Sequence, residues 1–163
     1  MRPELTEEEL DQWFRSGGWT PGRDIGDQVD ELTAEVREKS AENGFPLEVT
    51  EPVRAFLREF GGLKFPYGRE PDAVFFEPIH TGSADEEDIT ELGEHFGAPA
   101  FPVGFMTDEG AVLVMDGAAR MFLLHHTGDY WLGQGARAGL ARLKQGAPFE
   151  NSYAVLNEGG TPK

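Results

Sequence analysis

The sequence predicts an α+β fold, with an antiparallel or mixed sheet of about five to six strands flanked by helices. Three observations point to it. Residues 1–60 carry three segments with apolar side chains at helical spacing. After Gly61-Gly62 the pattern changes to short apolar runs separated by turn residues, of which Asp116-Gly117 is the strongest dipeptide. Two further helical patterns, over 84–96 and 134–145, are set into and after that strand region.

The first helix opens on a capping box, Thr6 with Glu9, and on a hydrophobic staple, Leu5 with Leu10. Leu10, Trp13 and Phe14 form its apolar stripe, and Gly17-Gly18 stops it. Trp19 to Arg23, WTPGR, reads as a tight turn centred on Pro21-Gly22. The second helix is expected over 24–42, with Ile25, Val29, Leu32 and Val36 facing inward and Asn43-Gly44 at its end. In the third, Val53, Phe56, Leu57 and Phe60 fall at i, i+3, i+4 and i+7. Thr50 is the expected N-cap, and Pro52 sits where its missing N–H costs nothing. Gly61-Gly62 then ends the helix, one of the two taking the left-handed conformation. This is a helix-to-sheet corner.

Strands are expected over 63–67 and 73–79, the second broken by Pro78. A capping box of Ser83 with Glu86 starts the helix at 84–96, whose inward residues are Ile89, Leu92 and Phe96. Its first turn, Asp85-Glu86-Glu87-Asp88, suits the positive end of the helix dipole. The strand at 101–105 contains Pro102 and Gly104, marks of an edge or a bend. Thr107 to Gly110 is a hairpin turn, followed by strands at 111–115, 120–124 and 130–132. Ala136, Leu140 and Leu143 line the last helix, over 134–145. Residues 151–163, rich in Gly, Asn and Pro, are expected to fray. The expected organisation is one domain over 1–150 and a flexible tail over 151–163.

A chain of 163 residues that is 39% hydrophobic, with twelve Phe and three Trp, can build one substantial core. No apolar run reaches the ~18 residues of a membrane span. The acidic, helical opening MRPELTEEEL is unlike a signal peptide. The absence of cysteine excludes disulfides, thiolate metal sites and a cysteine nucleophile, and fits the cytoplasm. The net charge is −16, of which −15 falls in residues 1–100. Such a field disfavours nucleic acid and anionic lipid and speeds encounter with a basic partner.

Catalytic patterns are sparse. The histidines are His80, His95, His125 and His126, with no HExxH spacing; neighbours in a strand face opposite ways, so His125 and His126 are poorly placed to share a metal. None of Ser16, Ser40, Ser83 and Ser152 lies in a GxSxG elbow. Gly133-Gln-Gly135-Ala-Arg137 lacks the Walker lysine and is too short for a dinucleotide fingerprint, so no cofactor is implied. The remaining enzyme alternative is a hydrolase using a carboxylate pair such as Glu77 with Asp116.

Several segments together resemble the SUKH superfamily of bacterial immunity proteins, most closely its third subfamily. They are Gly18-Trp19-x-Pro21-Gly22-Arg23, the helix end Phe56 to Leu63 (FLREFGGL), Pro102-Val103-Gly104, Leu113 to Gly117 (LVMDG), Met121-Phe122, Trp131-Leu132-Gly133, and the closing helix Gly139 to Gly146. They run in family order over residues 13–146. Met121-Phe122 departs from the Val-Tyr-like pair expected there. The resemblance implies a non-catalytic cytoplasmic antidote that binds a polymorphic toxin domain, a basic nuclease or a nucleic-acid deaminase. An intracellular protein-binding scaffold is the wider alternative. It also implies architectural roles for Trp19, Arg23, Gly61, Gly62, Gly117 and Gly133. The acidic segment around Asp85 looks individual to this chain, and Asp85, Glu86, Glu87, Asp88 and Glu91 are the expected partner-binding residues.

Overall fold

A computed structural model describes residues 4–79, 86–108, 110–157 and 159–162. Its helices are α1 (Glu7–Ser16), α2 (Gln28–Glu42), α3 (Glu51–Phe60), α4 (Glu86–Phe96), α5 (Ala136–Gln145) and α6 (Ser152–Val155). Its strands are β1 (Lys64–Pro66), β2 (Ala73–Phe75), β3 (Ala100–Met106), β4 (Val112–Asp116), β5 (Arg120–His125), β6 (Gly128–Gln134) and β7 (Glu150–Asn151). The α+β class is as the sequence predicts. The sheet is an antiparallel meander in the order β1 to β7. The added strand, β7, is a two-residue edge.

Helices cover both faces of the sheet. On β5, Met121 pairs with Met115 and Phe122 with Val114. Adjacent strand residues point to opposite faces. Gly139 of α5 lies against Met121, whereas Phe96 of α4 stacks on Phe122 with ring centroids 5.6 Å apart, so α4 and α5 lie on opposite sides. At the β1 end, Phe14, Phe60, Phe65 and Phe76 are fully buried and mutually packed, with Phe65 and Phe76 at 4.7 Å. This aromatic cluster fills the helix-to-sheet corner.

The Thr6–Glu9 capping box forms as expected. Thr50 stands at the N-cap of α3 in an extended conformation, but its side chain makes no capping bond and its Oγ1 is buried without a partner. Gly62 takes the positive φ, +82°, at the corner. In α2 the buried stripe is Val29, Thr33, Val36 and Ser40, with Ile25 before the helix and Leu32 half-buried. The two polar residues are satisfied locally. Thr33 donates to Val29 O at 3.0 Å, and Ser40 Oγ donates to Arg37 O while accepting from Leu47 N–H. Pro102 lies in an interior strand, beyond the reach of β2, which pairs only with Phe105 and Met106; a bulge separates it from Gly104. Both features make a proline tolerable there. The Ser83–Glu86 capping box and part of the 107–110 turn lie outside the described residues.

Of the segment expected to fray, residues 151–157 and 159–162 are held to the body. Asn151 caps α6, Ser152 Oγ donates to Asp129 O at 2.8 Å, and Leu156 is buried. Arg120 donates to the carbonyls of Gly159 and Gly160. Composition alone suggested a loose tail, but the apolar run ending in Leu156 and the buried guanidinium of Arg120 supply the anchors.

Candidate partner-binding face

Ile89, Leu92 and Phe96 turn inward from α4, which leaves the intervening acidic residues toward solvent. The expected cluster does not stay together. Glu86 is buried and accepts a hydrogen bond from Asn43 Nδ2, tying the start of α4 to the end of α2. Glu87, Asp88 and Glu91 are exposed. Asp85 lies outside the described residues.

Two residues from far along the chain join this face. Asp129 sits near the start of β6, opposite Leu124. Tyr153 of α6 is, at 40% exposure, the exposed large hydrophobic side chain among the described residues. Its ring stacks on Phe96 at 5.2 Å and meets His95 edge-on at 4.8 Å. Its hydroxyl donates to Asp129 Oδ2 at 3.1 Å. The face therefore presents a fixed phenol among carboxylates.

Its electrostatics follow from that crowding. Burial raises the Asp129 pKa; the Tyr153 hydrogen bond opposes the shift, and the Asp88 charge adds to it. Partial burial, the adjacent Asp129, and Glu91 and Asp88 push the Tyr153 phenol up to about 12. Negative charges held this close raise one another's pKa values. Their field attracts cations, and an aromatic ring beside carboxylates suits an arginine or lysine side chain. The sequence reading missed Asp129 and Tyr153, because the face is assembled from three separate segments, α4, β6 and α6. The available signal was the cap-and-apolar pattern Asn151 to Leu156.

The motif glycines and the turn residues assemble elsewhere. Arg23 donates to the carbonyls of Glu59 (2.7 Å) and Gly61 (2.9 Å), and Trp19 Nε1 donates to Glu59 Oε2 (2.9 Å). The WTPGR turn is thus clasped onto the end of α3. Gly62 N–H donates to Phe76 O, starting the sheet. Gly117 lies beside Thr50, and Gly133 lies against the backbone of Ala138 and Gly139, where a Cβ would be about 3.0 Å from α5.

The carboxylate-pair alternative meets a specific obstacle. Asp116 is buried, with its oxygens accepting from Arg120 Nε (2.7 Å) and from the N–H groups of Ala118 and Arg120. Glu77 is exposed. The rings of His125 and His126 stand 4.0 Å apart, because His126 lies in the turn beyond β5 rather than on the opposite strand face. Among the described residues no group of three or more His, Asp or Glu side chains could hold a metal ion, and no helix is long and apolar enough to cross a membrane.

A family model described as SUKH-3 immunity protein matches residues 6–146. The comparisons with curated proteins and with solved structures give no match.

Proposed function

The chain belongs to the SUKH-3 immunity protein family, and we propose that it neutralises a cognate toxin domain by binding it non-catalytically in the cytoplasm of the cell that makes both. The toxin is a basic nucleic-acid-directed enzyme, a nuclease or a deaminase. Such toxins carry positive charge to hold phosphates. A protein with net charge −16 meets that surface with complementary potential and a fast association rate.

The binding face in this reading comprises Glu87, Asp88 and Glu91 of α4, Asp129 of β6 and Tyr153 of α6; Asp85 adjoins it in sequence. The observation that carries the placement is Tyr153, an exposed ring stacked on Phe96 of α4 and hydrogen-bonded to Asp129 at 3.1 Å, which brings an aromatic surface and carboxylates of α4 and β6 together. An exposed aromatic ring among carboxylates suits a cationic side chain of a partner. Tyr153 lies beyond the family-matched span of 6–146, which suits recognition of a partner particular to this chain. Glu86, being buried against Asn43, supports α4 rather than the partner.

Co-expression tests the reading. The C-terminal domain of the protein encoded immediately upstream is expressed in bacteria with and without the full chain, followed by a pull-down. Growth arrest relieved by this protein, together with a stable complex, supports it. Toxicity that persists beside abundant folded protein, with no complex, refutes it.

A further inference from the structure

A cavity of about 410 Å³ opens at the hairpin end of the sheet. Tyr130 lines it, while its neighbour Asp129 belongs to the acidic face, so the two surfaces lie on opposite sides of β6. Its floor is apolar and buried, built by Met106, Ala111 and Leu123. Tyr67, Tyr130 and Phe149 line it as well, together with the polar His125 and Thr127. Each of the Tyr and Phe rings is held in place. The Tyr67 hydroxyl donates to Leu143 O at 3.0 Å, and the Tyr130 hydroxyl shares a hydrogen bond with Thr127 Oγ1 at 2.8 Å. Phe149 carries the Arg142 guanidinium over its ring at 4.9 Å. The cavity's volume falls within the range of ligand pockets, about 300–1,000 Å³, and admits an aromatic side chain. At its mouth, Asp108 is exposed and makes no hydrogen bond or ion pair with the described residues.

We propose that this cavity receives an aromatic side chain of the toxin, with a lysine or arginine next to it in the toxin chain pairing with Asp108. This rests on the toxin-binding reading and adds a second anchor to it. The buried Met106, Ala111 and Leu123 favour an apolar tip, and the rings of Tyr67, Tyr130 and Phe149 favour an aromatic one through edge-to-face packing. The rim carboxylate then selects the charge of the neighbouring residue. Pockets that fully desolvate an aromatic anchor dominate interface energetics, with rim charges tuning the outcome. The acidic face and this socket flank one hairpin, β5–β6, which a single partner can straddle.

The test uses the full chain and needs no toxin. Methyl NMR follows Met106 and Leu123 during titration with three blocked dipeptides: N-acetyl-Lys-Phe-amide, N-acetyl-Glu-Phe-amide and N-acetyl-Lys-Ala-amide. The Lys-Phe probe should move both methyl sets saturably. The Glu-Phe probe should bind about two- to fivefold more weakly, the range of an exposed ion pair, and Lys-Ala should leave the methyls unmoved. Asp108→Asn, at an exposed position without a hydrogen bond or ion pair to the described residues, should bring Lys-Phe down toward Glu-Phe. Silent methyls, an equal response to Lys-Ala, or equal affinity for Lys-Phe and Glu-Phe would overturn the proposal. Silent methyls beside successful rescue in co-expression would sink the socket alone; responding methyls without rescue would sink the immunity reading and leave a peptide-binding socket.

Discussion

The Tyr153 hydroxyl donates to Asp129 at 3.1 Å and joins the C-terminal α6 to β6 within the acidic face. Its phenol should ionise near pH 12 rather than at the ordinary value of 10.0. Alkaline absorbance titration of the chain and of Tyr153→Phe isolates this group from Tyr67 and Tyr130. Asp129→Asn should lower the midpoint part of the way, since burial contributes first and the Asp129 charge second. A raised folded-state value favours the neutral phenol in the native state. This contribution to stability is therefore intact below pH 10 and is lost as the pH rises from about 10 to about 12.

Asp129→Asn should also raise thermal stability slightly at neutral pH. Burial raises its folded-state pKa, so the native state favours the protonated carboxyl. That preference stabilises the fold below the unfolded value of 3.8 and is lost as the pH rises through the folded value. Asparagine keeps an acceptor for the Tyr153 hydroxyl and removes the disfavoured charge. The gain should be at most about 0.5 kcal/mol at neutral pH. It should shrink toward zero in acid, as melting curves across that range would reveal. Greater stability at neutral pH combined with weaker toxin binding is the signature of a charge retained for recognition.

For binding, Asp88→Asn and Glu91→Gln should each slow association with the toxin about two- to fivefold and flatten its dependence on salt, with dissociation less affected. Stopped-flow measurements at two ionic strengths check this. Glu86→Gln is the internal contrast. Its buried carboxylate bonds to Asn43, so its loss should appear in unfolding and leave the salt slope of association unchanged.

At the corner between α3 and the sheet, Arg23→Ala removes two charge-assisted hydrogen bonds and leaves the carbonyls of Glu59 and Gly61 to find water. The expected cost is about 2–4 kcal/mol in urea unfolding, and Arg23→Lys should recover less than half, because an ammonium lacks the planar fork. Gly61→Ala should cost more than Gly62→Ala. A Cβ at Gly61 runs into the Leu57 carbonyl and Leu32, whereas Gly62 has open space and only its φ of +82° to strain, about 1–2 kcal/mol.

This corner was legible in the sequence because each of its signals is local: the WTPGR turn, the i, i+3, i+4, i+7 stripe and the paired glycines all act over a few residues. The α2 stripe was partly misread for the opposite reason. Thr33 and Ser40 look like surface residues until their hydroxyls bond to the helix backbone and to Leu47 N–H, which removes the cost of burying them. The proposed partner face was half legible. Asp88 and Glu91 stand out as an acidic helix face, but Asp129 and Tyr153 reach it through sheet register and the docking of α6, of which the cap-and-apolar pattern Asn151 to Leu156 is the one local sign.

Asp116 and Arg120 form the remaining test, since the tail depends on them. Both are more than nine-tenths buried and their charges meet at 2.7 Å. The guanidinium also serves Phe96 O at the end of α4 and the carbonyls of Gly159 and Gly160. Asp116→Ala leaves this cation buried without its counter-charge and should cost about 3–5 kcal/mol. Arg120→Met should cost a similar amount, and it should also release Gly159 and Gly160, read as faster amide exchange at Gly160, whose N–H is bonded to Asn157 O. The double variant Asp116→Asn, Arg120→Met should be less destabilised than the two single costs added together, because neither charge is then stranded. Tail release without loss of α6 would leave Tyr153 in place and toxin binding intact. If binding falls together with Gly160 protection, the ion pair holds the recognition face in position through the tail, although neither charge reaches the surface.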